Sequence, residues 1–89
     1  MKEKKNTPEF FWKSLKDLLV EHTGIIADLL IEEALLEMNK SSVEEITIPE
    51  VPVFLDRLYR ELEKIMSPAF LERFKEKTIK LFNETFTSL

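Results

Sequence analysis

Leu18-Leu19-Val20-Glu21-His22-Thr23-Gly24-Ile25-Ile26-Ala27-Asp28-Leu29-Leu30-Ile31-Glu32-Glu33-Ala34-Leu35 is the stretch on which the fold turns. It holds the single glycine of an 89-residue chain, set between two runs of helical periodicity. Only glycine takes a left-handed position after a helix at no steric cost. Gly24 therefore predicts that one helix stops near His22 and another starts near Ile25. In the second run, Ala27, Leu30, Ile31, Ala34 and Met38 form one apolar arc, and Ile25, Leu29 and Leu36 form another on nearly the opposite side. The acidic seams Asp28 with Glu32 and Glu33 with Glu37 separate them. A helix apolar on two sides is expected to be packed on two sides. This pattern predicts that the second helix is central, with Ala27 and Ala34 letting a neighbour approach closely.

Working outward, Thr7-Pro8-Glu9 reads as an N-cap, a proline at the first helical position and an early acid, which open the first helix. Phe11, Trp12, Leu15, Leu18, Leu19 and His22 share one face of it, with Phe10 and Val20 outside. Beyond the second helix, 40–50 reads as a loop with Ile46-Thr47-Ile48 as a short extended piece, and Pro49 and Pro52 forbid a continuous helix. Leu55, Leu58, Leu62 and Ile65 then recur at three-four spacing, and Ser67-Pro68 stops that helix and caps a fourth. The fourth has an apolar arc of about 180°, wider than the ~100° a core stripe needs. The expected fold is all-α, a compact bundle of four helices over about 8–22, 25–39, 53–66 and 68–86. Residues 8–89 form a single domain behind a flexible tail, 1–7.

Charge and composition narrow the function. Thirteen basic and 17 acidic side chains leave a net charge of −4, unsuited to a protein that neutralises phosphates along a track. The acidity is concentrated: one base and seven acids lie in 25–52, whereas each flank is nearly balanced. Such a segment reads first as an exposed, solvated edge and second as a patch that steers a basic partner. With no cysteine there are no disulfides, zinc-thiolate sites or thiol nucleophiles, which fits a reducing cytoplasm. No apolar run approaches the ~20 residues of a membrane span. Glu and Lys are abundant and Gln is absent, the skew of thermophile proteins.

Catalysis finds little support. Nucleophilic triads need a base beside the nucleophile, and His22 is the only histidine. It sits near a helix C-terminus, where carbonyls and the dipole favour a donor. A single glycine rules out a glycine-rich phosphate loop. Asp28–Glu32 and Glu33–Glu37 each pair two acids, but the Glu-x-x-His pattern of carboxylate-bridged metal bundles is missing. Solvated seams explain them better. No catalytic, cofactor-binding or metal-ligating residue is assigned. The alternative is a small dimeric DNA-binding regulator. Arg57, Arg60, Arg73, Lys75, Lys77 and Lys80 would supply its base, but acids are interleaved among them.

The aromatic content points to contact with protein. Seven Phe with Trp12 and Tyr59 are many for a core of this size. Large apolar patches signal association, and Phe10, Trp12, Ile79, Phe82 and Phe86 are the candidate interaction residues. The partner expected is a second copy, giving a homodimer, a signalling protein, or both, with no membrane and with nucleic acid disfavoured.

The opening stretch, with its Thr23-Gly24-Ile25-Ile26-Ala27 turn, also resembles a small helical domain of uncharacterised function. That family is found at the C-termini of bacterial signalling proteins, serine/threonine kinases among them. Phe54-Leu55-Asp56-Arg57-Leu58 and Glu72-Arg73-Phe74 are similar to its later segments, and Ile25 stands where the family has proline. The resemblance implies a non-catalytic regulatory module in which Gly24 and Ala27 form the structural turn.

Overall fold

Thr7 lies in extended backbone (φ −107°, ψ 150°), and its side chain accepts the Phe10 N–H at 3.1 Å. This cap, followed by Pro8, starts α1, Pro8–Thr23. The structure, a computed structural model, describes residues 7–86. The rest of the expected tail over 1–7 lies outside the described residues. α1 buries Phe11, Leu15 and Leu19. It ends where the Gly24 N–H donates to the Val20 carbonyl. Gly24 has φ 70° and ψ −137°. That is positive φ but not the left-handed helical conformation expected from the sequence; it is a region open to little besides glycine.

A 3-10 turn, Gly24–Ile26, leads into α2, Ala27–Glu37. α2 is thus shorter at both ends than the expected 25–39. Its left-handed terminator is Asn39, at φ 58°. The Lys40 N–H donates to the Leu35 carbonyl at 2.9 Å and the Asn39 N–H to the Leu36 carbonyl at 3.1 Å, the paired bonds of a Schellman ending.

The connection to the next helix contains 3-10 turns Val43–Glu45 and Ile48–Glu50. Of the predicted extended piece, only Ile46 and Thr47 are extended. Thr47 and Glu50 form a capping box, with the Thr47 N–H donating to Glu50 Oε1 at 2.9 Å. The box runs straight into α3, Val51–Glu63, which starts earlier than expected because Pro52 fits its first turn. α3 stops when the Ile65 and Met66 N–H groups both turn back to the Leu62 carbonyl, at 3.0 and 2.8 Å. Ser67 then caps α4, Pro68–Phe86, its Oγ accepting the Phe70 N–H at 3.4 Å.

The architecture is all-helical, with no strand among the described residues. α1 packs on α2 and α4, and α3 packs on the same two helices. α1 and α4 are antiparallel: Phe11 near the start of α1 meets Phe86 near the end of α4, while His22 at the other end meets Phe74. The core joins Phe11, Leu15 and Leu19 to Ala27, Ala34, Phe54, Leu58, Leu62 and Phe74. Burying each large side chain fully contributes about 1.5–3 kcal/mol.

The sequence reading of α2 as central is corrected. Its Ala27–Leu30–Ala34 side is buried against α1 and α3. Its other apolar side faces solvent, with Ile25 in the preceding turn 98%, Leu29 55% and Leu36 67% exposed. α4 also packs on α1 and α3, and it buries Leu71, Phe74, Thr78, Thr85 and Phe86.

Candidate interaction surfaces

The aromatic residues divide between core and surface differently from the sequence expectation. Phe86 is buried, and its ring centroid lies 5.3 Å from that of Phe11 and 5.0 Å from that of Phe82. Phe82 is half-buried and meets Phe11 edge-on at 6.1 Å. Both were expected at an association face, and both close the core over α1. Trp12 is half-buried, edge-on to Phe11 at 5.0 Å and to Phe54 at 5.2 Å, so its ring ties α1 to α3. Phe10 is half-buried, and Ile79 remains 53% exposed at the edge of α4. Gly24 and Ala27 do form the turn into α2, with Ala27 fully in the core. Of the five candidate interaction residues, Trp12, Phe82 and Phe86 gather around Phe11, and Ile79 is the one more than half exposed.

A second aromatic group sits at the opposite end. His22 is edge-on to Phe74, and its Nδ1 donates to the Leu18 carbonyl at 2.9 Å. Tyr59 is edge-on to Phe74, its hydroxyl is hydrogen-bonded to Thr78, and Lys75 Nζ stands 5.5 Å from its ring centre. Burial pushes the Tyr59 phenol above its ordinary value, and the Thr78 hydrogen bond opposes this.

Two surface features differ from the sequence expectation, the first an apolar arc that was read from the sequence but assigned to an internal neighbour, the second not read at all. One is the outer row of α2 and its leading turn, Ile25, Leu29 and Leu36, whose spacing of four and seven keeps them on one side. The other is a groove of about 700 Å³ between α1, α2 and the 42–46 segment. Trp12, Leu15, Ile31, Leu35, Val43 and Ile46 contribute its apolar wall. Glu9, Asp28, Glu32 and Glu44 stand around it with Lys13 and Lys16. Lys16 Nζ reaches Asp28 Oδ1 at 3.1 Å across the groove. These residues are far apart in the chain, so periodicity carries no signal for the groove. The nearest sequence sign is Ile31 and Leu35 beside the Asp28–Glu32 seam.

The acidic pairs enter distinct environments. Glu33 and Glu37 are both exposed, and Glu37 has Arg57 Nε of α3 3.9 Å away. A hydrogen bond to Glu61, then desolvation and the Glu61 charge, raise the Glu37 carboxyl above its ordinary value. Glu50 is shifted the other way, held down by the Thr47 backbone and side-chain hydrogen bonds and by Lys40. Among the described residues, no three His, Asp or Glu side chains gather closely enough to hold a metal ion. Among them too, no helix is long and apolar enough to cross a membrane.

Comparison of the chain with protein-family models, with curated proteins and with solved structures finds no match in any of the three.

Proposed function

We propose that this chain is a non-catalytic protein–protein interaction module of a cytoplasmic regulatory or signalling system, acting on a second copy or on a signalling protein. The observation that carries this reading is the outer row of α2. Ile25, Leu29 and Leu36 are apolar at helical spacing and exposed, where a partner would remove them from water. The resemblance of the 18–35 stretch to a regulatory domain points the same way.

The DNA-binding alternative draws less support. Arg57 faces Glu37, Arg60 Nε is 3.4 Å from Asp56, and Lys75 lies over the Tyr59 ring. Three of the six basic residues it needs thus have partners in their own chain.

The test is sedimentation equilibrium over a wide concentration range on the wild type and on a Leu29→Ser, Leu36→Ser variant. Both positions are more than half exposed, so the variant keeps its fold. Reversible association that the variant loses supports a self-associating module. A mass of 10.5 kDa at every concentration removes self-association, and retardation of duplex DNA at low salt would favour the alternative.

A further inference from the structure

The α1–α2 groove has both a shape and a charge, and together they define an occupant. The α1 residues that line it run from Pro8 to Lys16 and the α2 residues from Asp28 to Leu35. At 1.5 Å per residue these walls are about 10–12 Å long, room for roughly two helical turns. Such a trough takes the apolar face of an amphipathic helix, with anchors at i, i+3 or i+4, and i+7.

Charge then selects the partner. Four carboxylates and two ammonium groups surround the groove. Lys16 is committed to Asp28. Glu9 on α1, Glu32 on α2 and Glu44 on the loop hold no ion pair among the described residues. Carboxylates therefore stand on three sides of an apolar floor. A helix entering it meets favourable charge if Lys or Arg flank its apolar stripe, and repulsion if Asp or Glu do.

Resting on the interaction-module reading above, we propose that this groove binds a basic amphipathic helix of another protein. The chain's own exposed row cannot substitute. Leu29 and Leu36 are accompanied on α2 by Asp28, Glu32 and Glu33, so a second copy offering that row would bring acid to acid. A second copy offering a different face, such as one carrying Lys77 and Lys80 of α4, would join head to tail, a contact that goes on adding subunits unless it closes.

Trp12 is the only tryptophan and lines the groove, so it reports occupancy directly. The probes are two synthetic amphipathic peptides of about four helical turns with the same leucine stripe, one flanked by lysines and one by glutamates. The lysine peptide is expected to shift Trp12 emission and to bind with a dissociation constant that rises several-fold as salt is raised from low to physiological strength. Glu32→Lys with Glu44→Lys, at exposed positions, is expected to weaken it about tenfold while far-ultraviolet circular dichroism stays unchanged. Equal binding of both peptides, binding of neither, or a variant of unchanged affinity would overturn the proposal. Sedimentation equilibrium of the wild type, run beside the titration, separates the two readings. If the lysine peptide fails to bind while association through the α2 row persists, the groove proposal alone falls. If both fail, the interaction-module reading falls with it. Removal of residues 1–6, which carry three lysines, tests the chain's own N-terminus as occupant. A Trp12 shift caused by that removal alone would place this segment in the groove and overturn the proposal.

Discussion

Replacing Phe86 with alanine distinguishes a core aromatic from an association residue, and the structure sets the size of the effect. The side chain is 8% exposed and its ring packs on Phe11 and Phe82. Truncating a buried Phe to Ala costs about 3–5 kcal/mol. Phe86 lies in the last turn of α4, where the backbone can relax into the space, so about 3 kcal/mol is the expectation. A chain of this length has a total stability of roughly 4–13 kcal/mol, so the loss is severe but survivable. At about 4–8 °C per kcal/mol for a small domain, the melting temperature should fall by roughly 12–24 °C. With a urea dependence near 1 kcal/mol/M, the unfolding midpoint should drop by about 3 M. Urea titration followed by far-ultraviolet circular dichroism measures this. Ile79→Ala on the same helix is the control and should stay within about 0.5 kcal/mol. If Phe86→Ala leaves the midpoint unchanged while light scattering shows a loss of mass, Phe86 is a contact between copies and its place in the core is wrong.

Thr85 is fully buried and its hydroxyl has no hydrogen-bond partner among the described residues; Thr85→Val should stabilise by about 1 kcal/mol, and a loss of that size would mean the hydroxyl is bonded. The only tyrosine, Tyr59, should titrate above 10.0 in ultraviolet absorbance. Stability from its neutral phenol is complete below the unfolded value and is lost as pH rises through the higher folded one. Tyr59→Phe should abolish that alkaline loss, and a phenol titrating at 10.0 or below would contradict its burial. Glu37 is raised above 4.5 by its hydrogen bond to Glu61, so its contribution is complete below 4.5 and lost as pH rises through the folded value. Glu61→Gln should flatten the stability curve between 4.5 and neutrality; an unchanged slope would place the shared proton elsewhere.

The features legible in the sequence are those written into one element at a time. Thr7-Pro8 marks the start of α1, Ser67-Pro68 separates α3 from α4, and the Leu55, Leu58, Leu62 row is the buried side of α3. What periodicity could not supply is which neighbour covers an apolar side. The wide arc of α4 suggested an external partner for Phe82 and Phe86, yet α1 and α3 cover it from two directions and only its margins, Phe70 and Ile79, remain exposed. The double arc of α2 suggested two internal neighbours, but only one arc has them. The two errors are the same error with opposite sign. Helix ends were missed wherever 3-10 turns intervene, because Gly24–Ile26 and Ile48–Glu50 carry residues that a regular helix also accepts. The groove was invisible for a different reason, since its walls come from separate segments brought together only by folding.

The antiparallel pairing of α1 with α4 also governs how the chain matures on the ribosome. α1 emerges first, but the ring of Phe11 finds Phe86 only after another 75 residues, the separation of the two in sequence, have been synthesised. Closing so long a loop carries its entropic cost before any contact repays it. α2 and α3 can pair earlier, across the short 3-10 connection between them. Until residue 86 is released, the nascent chain presents Phe11 without its lid. A ribosome stalled within α4 would therefore hold an aggregation-prone intermediate and a client for chaperones.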